Sequence, residues 1–584
     1  MKNFRDIKLN LDLKPKFYFT RKLKLVSDFL ILLFFIFLIF LVNKDLFYNL
    51  SGSYGMAQTD NEGTLWWLWQ QATSSTPDIT SLKSGQVFAS DIFTFTNIYD
   101  SIRIFIISRI GTIESLFYVF NLSIILSTAL NSFACYKLSE LFLPNRIIAL
   151  GVSSVWLFTP HNLLNTRTGL SNNFIFFGLM LLVLFFKNFL KEKVNYLGIF
   201  VLSILTAASS TYLLSHVILI CIVFSGVLLI TNKSVKKIIL LKMNSIIITT
   251  GTLTTLILYK KSLFLIFNSE KTAIIRPSNM LQELVPHQTV IMNSNQTSAG
   301  FISVFSILII LIAVTIGFRT KSFSLLSKSG IGIFISGFTM QYIGYSIPLL
   351  NPLQKIYFEV LPQLRGISLS HRFGLFLMVL GSVILISEYV LGSRYWHKKM
   401  PIILLVLIFA SNALSIPKNE SLRQKTEIDF LAEHYFILKQ APPNSIIFDF
   451  PDELSSGDWG FPRGHILLSQ IFHGKKIFNG LDYDDLVKGC LPISAERFQF
   501  ALKSDGGLNA DFIVLRDRLI SSNNLKIIQN LLGDRGWVLI KKSNVDLVSN
   551  DPTTKSQQSV QIYKSPNKSD YNLGSFCRKN LGAK

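Results

Sequence analysis

Residues 29 to 42 read FLILLFFIFLIFLV, an uninterrupted apolar run that decides the class of this protein. The 24 residues before it carry eight Lys and Arg against Asp6 and Asp12. No small-residue cleavage site follows the run at the distance typical of a signal peptide. The pattern predicts a retained first transmembrane helix, preceded by a basic N-terminus (residues 1–24) that is held in the cytoplasm.

The composition extends this prediction to most of the chain. Of its 584 residues 49% are hydrophobic, 13% are aromatic and 16% are charged, and the mean hydropathy is +0.42. That is more apolar side chain than a globular core can bury, so the excess must face lipid. The 49 Phe residues and the long Ile/Leu runs exclude disorder, collagen and coiled coil. Uneven segment spacing argues against a solenoid or a transmembrane barrel, which leaves helices.

Further apolar segments of helical length follow the first run. We predict about 11 transmembrane helices, and 10 to 13 would fit the pattern. Two of the segments are weaker, because 147–163 is short and 239–259 contains Lys242 and Asn244. The later segments lie at about 113–136, 147–163, 171–187, 196–212, 213–231, 239–259, 300–318, 329–349, 372–391 and 401–416.

The basic residues give an orientation for these helices. A net charge of +22 and a pI near 9.7 could indicate a nucleic-acid partner, but most Lys and Arg stand at the ends of apolar segments. The predicted outside loops are poor in them: one holds Arg167 alone, and the turn at 209–215 holds none. The positive-inside rule therefore predicts a cytoplasmic N-terminus, an external C-terminus and no nucleic-acid partner. The predicted inside loops hold Lys187, Lys191, Lys193, Lys233, Lys236, Lys237, Arg319, Lys321, Lys328, Arg394, Lys398 and Lys399.

The chain divides into a transmembrane domain, residues 25–416, and a polar C-terminal part, residues 417–584. Long predicted outside segments cover 44–112 and about 260–299, and a shorter one covers 350–371. After residue 417 charged and turn residues return, with a helical pattern at Leu525–Leu532 and several strand-like runs. We expect a small soluble α/β domain on the external side. The runs are Ser445–Phe450, Phe512–Leu515, Trp537–Ile540 and Val560–Tyr563.

The chain has four cysteines and no CxxC pattern, which excludes a zinc ribbon, a thioredoxin-like site and a disulfide scaffold. Cys135 and Cys221 lie in apolar segments and are expected to be small core residues. Cys490 and Cys577 lie in the polar C-terminal part, where a single disulfide between them is one alternative.

The first outside loop contains the sequence TDNEGTLWWLWQ at residues 59–70, in which two carboxylates precede a Trp-rich helical stretch. Trp side chains favour the headgroup zone, so the stretch is expected to lie along the outer membrane surface. Glu62 stands three residues after Thr59, the spacing of a capping box that only satisfies the helix start. Asp60 is not needed for that box and is the better candidate for a general base. Glu62 stays a second catalytic candidate.

This layout resembles the GT-C superfamily of integral membrane glycosyltransferases. The resemblance rests on a first helix, a large loop with an early Asp and the LWWLW helix, about ten more helices and an external C-terminal domain. The stretch FTPHNLLNTRTG at 158–169 is similar to a turn after the third helix in many bacterial members. LPQLRG at 361–366 with HRF at 371–373 is similar to their entry into a late helix. Together these features cover most of residues 25–416.

The resemblance implies an enzyme that uses a polyprenyl-phosphate or polyprenyl-diphosphate sugar and transfers the sugar to a glycan, lipid or protein acceptor. Asp60 would accept the proton of the attacking hydroxyl. Cationic side chains at the same surface would stabilise the departing phosphate, although Arg at a membrane boundary also anchors helix ends. The candidates for contact with the phosphate are Arg167, Arg365 and Arg372. The neighbouring His161 and His371 are expected to form local hydrogen bonds to the substrate-binding segments.

A metal site is a further possibility that the resemblance raises. Asp60 and Asp91 together could supply carboxylate ligands for a divalent cation of the kind that some GT-C members use. Asp482, Asp484 and Asp485 are better explained as a solvated turn. The sequence has no P-loop, GxGxxG or GxSxG motif, so an ATP-driven pump, a dinucleotide enzyme and a common serine hydrolase lack support.

Two other functions stay open at this stage. The first is a transporter or flippase for a lipid-linked glycan, although Asp28, Glu114, Lys242 and Glu388 lie near helix ends and not at mid-membrane. The second is a non-catalytic membrane assembly protein whose C-terminal domain binds a partner. For all three functions the expected location is a bacterial inner membrane.

Overall fold

The computed structural model describes just under half of the chain, mainly in its helices and in the C-terminal sheet. The described residues are 21–42, 50–51, 53–54, 60–73, 98–143, 145–158, 175–231, 236–258, 324–342, 374–389, 426–427, 437–442, 445–450, 471–472, 474–477, 498–499, 502–503, 510–516, 520–547 and 556–566.

The membrane part is helical. Two helices, α2 and α3, lie in the sequence between the first transmembrane segment and the next. In chain order the helices are α1 (Arg21–Val42), α2 (Asp60–Thr73), α3 (Ile98–Ile110), α4 (Ile113–Phe142), α5 (Arg146–Phe158), α6 (Phe176–Lys191), α7 (Tyr196–Ser209), α8 (Thr211–Thr231), α9 (Lys236–Leu258), α10 (Leu325–Tyr342) and α11 (Gly374–Tyr389).

Each predicted apolar segment that falls within the described residues is helical there. The segments predicted at 300–318 and 401–416 lie outside the described residues, so the predicted number of 11 helices stays a prediction. Three described helical stretches are long and apolar enough to cross a membrane: Ile113–Phe142, Leu213–Ile230 and Lys237–Leu258. Shorter apolar stretches are Leu25–Leu41, Tyr196–Ser209, Leu325–Met340 and Gly374–Leu385. The chain is therefore a mostly helical membrane protein.

Helix α9 continues through Lys242 and Asn244, the two residues that weakened its prediction. The Asn244 side-chain amide donates to the Leu240 carbonyl at 2.9 Å and to the Ser225 hydroxyl of α8 at 2.7 Å. A polar side chain in an apolar segment is thus satisfied within its own helix and by a neighbour, which is how polar residues connect transmembrane helices.

The connection between α7 and α8 is a single residue, Ser210. Its backbone N–H donates to the Thr206 carbonyl at the end of α7. Its hydroxyl accepts from the Leu213 N–H in the first turn of α8, at 3.4 Å. One serine therefore caps the end of one helix and the start of the next, which explains why the predicted turn at 209–215 needs no loop.

A network of charged side chains marks one end of the bundle, which we call the amino-terminal face because α1 begins there. Lys137 on α4 contacts Asp28 on α1, and it contacts Glu140 at 3.0 Å. Arg146, the first residue of α5, contacts Glu140 at 3.4 Å. The start of α1, the end of α4 and the start of α5 therefore lie at the same face, as the alternating topology requires.

The centre of the bundle is an aromatic core. Phe185, Phe186 and Phe189 of α6 surround Phe224 of α8, with ring centroids 6.1, 4.7 and 5.5 Å from it and near-perpendicular planes. Edge-to-face contacts of this kind add to the energy of burial. Cys135 and Cys221 are buried and free, as predicted for small core residues.

Helices α10 and α11 pack antiparallel with glycines in the contact. A Cβ on Gly381 would stand 2.6 Å from the Gly330 carbonyl oxygen, and a Cβ on Gly337 would stand 2.7 Å from the Gly374 carbonyl oxygen. In each helix the two glycines are seven residues apart, so they share one face. Small residues at such positions let transmembrane backbones approach closely.

The C-terminal part contains a five-stranded mixed sheet. Its strands are β3 (Ile446–Phe450), β4 (Lys476–Ile477), β5 (Phe512–Arg516), β6 (Val538–Leu547) and β7 (Ser556–Lys564). Their order in the sheet is β4–β3–β5–β7–β6, with β3 parallel to β4 and β5 and with β7 antiparallel to β5 and β6. Helix α12 (Ser522–Asp534) buries Ile528 and Leu532 against this sheet. The predicted strands and helix of this region coincide with β3, β5, β6, β7 and α12.

We predict that Gly381→Ala destabilises the protein by about 2 kcal/mol, because the new methyl group must displace backbone atoms of α10. Gly226 in α8 is the matched control, since a Cβ there meets nothing within 4 Å. Gly226→Ala should leave stability unchanged or raise it by up to about 1 kcal/mol through helix propensity. Thermal unfolding in detergent measures both, and equal shifts in the two variants would contradict the close approach of α10 and α11.

Candidate functional site

Helix α2 begins at Asp60, one residue after Thr59. Thr59 lies outside the described residues, so the capping box proposed from Thr59 and Glu62 stays a prediction. The side-chain positions of Asp60 and Glu62 lie outside what the structure describes. Their roles as base and cap therefore stay predictions, while the backbone position of Asp60 at a helix start is a property of the fold.

Helix α2 packs against α3 and the first turns of α4, and we call these three segments (60–73, 98–110 and 113–124) the platform. Leu65 and Leu68 are fully buried, and Trp66 is 4% exposed. They contact a cluster that includes Ile107 on α3 and Phe117 on α4. Protein and not lipid covers the Trp66 ring, while the position of α2 along the outer membrane surface stays a prediction. Trp67 and Trp69 are partly buried against the same cluster.

A buried ion pair within α3 lies against α4 beside this cluster. The Arg103 guanidinium contacts the Asp100 carboxylate at 3.1 Å, and its Nε donates to the Ser123 hydroxyl of α4 at 2.7 Å. It also lies over the Phe120 ring at 5.3 Å from the centroid. Arg103 is only 2% exposed and Asp100 only 6%. The charge is thus neutralised and bonded in a site that excludes water.

Burial and pairing act on this arginine in opposite directions. Burial lowers the pKa of Arg103 because it disfavours the charged form, while the attraction and hydrogen bond of Asp100 raise it. Removing one partner of such a pair leaves an uncompensated buried charge, which costs about 3–5 kcal/mol in measured cases. The hydrogen bond of Arg103 to Ser123 and its contact with Phe120 therefore fix the position of α3 on α4, while Asp100 compensates the buried charge.

Further contacts tie the platform to the bundle. The Asn121 amide of α4 donates to the Leu50 carbonyl at 2.8 Å. Tyr99 on α3 packs against Phe177 at the start of α6, with ring centroids 5.7 Å apart. Burial raises the pKa of Tyr99 above its ordinary value, and the nearby Ser209 side chain and Phe177 backbone oppose that rise. The start of α6 and the end of α7 therefore lie at the platform, opposite the amino-terminal face.

The C-terminal part contacts both the first loop and the platform. Strand β1 (Ser53–Tyr54) pairs antiparallel with β2 (Thr426–Glu427), with Ser53 opposite Glu427. Ile471 is buried in the platform cluster, and Phe472 packs both there and against the apolar cluster of the C-terminal sheet. The first loop and the C-terminal part therefore lie at the same face of the bundle.

The other predicted site residues lie outside the described part of the chain. His161 and Arg167 fall between the end of α5 at Phe158 and the start of α6. Arg365, His371 and Arg372 fall between the end of α10 at Tyr342 and the start of α11. Helices α5 and α11 contact each other, so the two segments adjoin neighbouring helices.

The proposed metal site and disulfide are likewise not tested. Asp91, Cys490 and Cys577 lie outside the described residues. Within the described residues no group of three or more His, Cys, Asp or Glu side chains could hold a metal ion.

Sequence reasoning missed the Asp100–Arg103 pair and the Ile471 contact. The opposite charges three residues apart are a signal in the sequence, since they share one face of a helix. On an amphipathic surface helix the same spacing usually marks an exposed pair, so burial could not be read from it. Nothing in the sequence near Ile471 distinguishes it from a core residue of the C-terminal domain.

Comparisons with known proteins bear on the fold. No family model matches the chain, and no curated protein matches it. Its structure is similar to the crystal structure of the oligosaccharyltransferase from Archaeoglobus fulgidus in the apo form, with a TM-score of 0.53 and 9% identity. The match covers 88% of this chain and 73% of that one. At this identity the likeness concerns the fold alone.

We predict that Asp100→Ala lowers the free energy of unfolding by about 3 kcal/mol or more, because Arg103 is left charged and buried. The double variant Asp100→Leu/Arg103→Met should recover most of this loss, since apolar groups of similar volume replace the pair. Arg109→Gln, on the exposed side of the same helix, should change stability by less than about 0.5 kcal/mol. Unfolding in detergent measures all three, and a double variant as unstable as Asp100→Ala would contradict this account.

Proposed function

We propose that the chain is a membrane glycosyltransferase that acts at the external face. It moves a sugar from a polyprenyl-phosphate-linked donor to the hydroxyl of a glycan, lipid or protein acceptor. The observation that carries the proposal is the start of α2 at Asp60, in a helix that is fixed against α3, α4 and the C-terminal part. A carboxylate at such a rigid point is suited to a general base, since catalytic groups must be held in a defined position.

The fold likeness supports the class of reaction. The similar protein from Archaeoglobus fulgidus is an oligosaccharyltransferase, and the match extends over 88% of the present chain. Fold does not determine function by itself. The likeness gains weight because the Asp60 helix and the GT-C resemblance of the sequence were identified from residue patterns alone.

The proposed reaction needs a base and a cationic site for the leaving group. The acceptor oxygen attacks the anomeric carbon of the donor sugar, and its proton passes to the Asp60 carboxylate. The bond between that carbon and the phosphate oxygen breaks, and its electron pair stays on the phosphate. Arg167, Arg365 and Arg372 are our candidates to stabilise this charge through charge-assisted hydrogen bonds.

The location of these arginines supports the assignment. Arg167 belongs to the segment between α5 and α6, while Arg365 and Arg372 belong to the segment between α10 and α11. The start of α6 contacts the platform through Phe177, and α5 contacts α11. The first segment follows α5 and the second precedes α11, and these two helices contact each other. We infer that His161 and His371 position the same segments, and that Glu62 serves the helix start or assists Asp60.

The proposed orientation follows from charge. The amino-terminal face carries the basic segments of the sequence, so we assign it to the cytoplasm and the platform to the outside of the inner membrane. The C-terminal domain, which contacts the platform, is then external. Partners are the bilayer, the donor lipid and the acceptor. A divalent metal bound by Asp60 and Asp91 remains a separate, weaker proposal.

The distribution of ionisable residues argues against a transporter. In the described transmembrane helices Asp, Glu, Lys and Arg lie near helix ends, for example Asp28, Glu114 and Lys242. Transport paths instead place such residues near mid-membrane. A purely structural assembly role is also less favoured, because the bundle holds a rigid acidic helix that anchoring would not need.

The test is Asp60→Asn, assayed with full-length protein in membranes that contain radiolabelled polyprenyl-phosphate sugars. Loss of the base should lower sugar transfer and release of free polyprenyl phosphate by roughly 100-fold or more. Turnover at the native rate by correctly inserted Asp60→Asn protein would remove Asp60 from the mechanism. Flux of intact donor across proteoliposomes, with no bond broken, would favour the transporter instead.

Glu62→Gln separates the two carboxylates, because Gln can fill the same position of a capping box but cannot act as a base. We expect Glu62→Gln to retain most of the turnover. A loss as large as that of Asp60→Asn would assign the base to Glu62 or to the pair. Asp534→Asn, at the end of α12, controls for loss of an acidic side chain elsewhere. The thermal unfolding midpoint of each variant controls for folding.

A further inference from the structure

A groove of about 630 Å³ opens on the side of the bundle between α7 and α9. Its volume lies within the range of small-molecule sites in proteins. Leu197 is 72% exposed and Phe200 is 48% exposed, so the groove faces the surroundings of the bundle and not its core. The lining consists of Tyr196, Leu197, Phe200, Ser245, Ile246, Thr249 and Thr250.

The groove lies toward the amino-terminal face. Helix α7 ends at the platform through Ser209, so its first residue, Tyr196, points to the opposite end. Helix α8 returns from that turn, and α9 runs back again, so α7 and α9 are parallel neighbours. The groove thus begins at the first turn of α7 and lies beside residues 245–250 of α9, and both helices start at the same membrane face.

Lys242 stands at this end of the groove. It precedes Ser245 and Ile246 by three and four residues and Thr249 by seven, so all four lie on one stripe of α9. At 1.5 Å per residue, Lys242 lies about 4.5 Å along the axis from Ser245. Its side chain is exposed. A long cationic side chain on this stripe extends toward the amino end of the helix, which is the direction of the membrane surface.

The chain around this end of the groove is strongly basic. The sequences 187–195 and 232–245 contain seven Lys and a single acidic residue, Glu192. Lys193, two residues before the cap of α7, is exposed. An apolar groove with a cationic mouth matches an anionic amphiphile: hydrocarbon fits the apolar lining, and a phosphate fits the lysines.

We propose that this groove binds an anionic phospholipid from the leaflet at the amino-terminal face. One acyl chain lies along Leu197, Phe200 and Ile246, and the phosphate is bound by Lys242. A second copy of the chain is a poorer occupant, because a symmetric contact would bring two Lys242 side chains together. The proposal does not depend on sugar transfer, so it can fail or hold independently of the function proposed above.

The experiment is native mass spectrometry of the full-length protein in detergent with equal amounts of phosphatidylglycerol and phosphatidylcholine of identical chains. We expect about fivefold more phosphatidylglycerol retained per chain. Lys242→Gln should remove this preference, since a lysine near an anionic surface is worth about 1 kcal/mol, or about fivefold in affinity. Thr249→Trp, at an exposed lining position, should lower retention of both lipids by filling the groove.

Lys541→Gln is the matched control, because it removes the same charge from the C-terminal sheet and should leave the lipid ratio unchanged. Equal retention of the two lipids by the native protein would overturn the proposal, as would an unchanged preference in Lys242→Gln. A dimer that Thr249→Trp abolishes, without lipid preference, would identify a second copy as the occupant and overturn it too. Unfolding midpoints confirm that each variant is folded.

Discussion

The buried guanidinium of Arg103 is the constraint on which the arrangement of the platform depends. A charge removed from water is tolerated only with close compensation, and here that comes from Asp100 on the same helix and from Ser123 and Phe120 on α4. Helix α3 cannot slide or rotate on α4 without moving the guanidinium away from Ser123 and Phe120. Helix α2 and Ile471 belong to the buried cluster that α3 and α4 also form, so the positions of α2 and of the segment around Ile471 depend on the same packing.

The helices could be predicted from the sequence because the bilayer imposes a length and a composition on every segment that crosses it. Even α9, with Lys242 and Asn244, keeps its helix, since Asn244 finds partners on α8. The strands of the C-terminal sheet followed from short β-branched and aromatic runs. The order of that sheet could not be read in this way, because pairing β5 with β7 depends on contacts between residues far apart in the chain.

The candidate site was only partly visible in the sequence. The capping pattern of Thr59 and Glu62 predicts a helix start here, and Asp60 is the first described residue of α2. The surroundings of Trp66 were mistaken, because hydropathy reports that a ring avoids water but not whether lipid or protein covers it. The Asp100–Arg103 pair has the spacing of an ordinary surface pair, and only the approach of α4 makes it a buried one.

The single-residue connection at Ser210 also has a consequence for how the protein is made. Because one residue connects α7 and α8, neither helix can enter the bilayer while the other is still in the aqueous channel of the insertion machinery. We therefore expect the ribosome to deliver the two as one hairpin, which must turn within the translocation apparatus before either half reaches lipid.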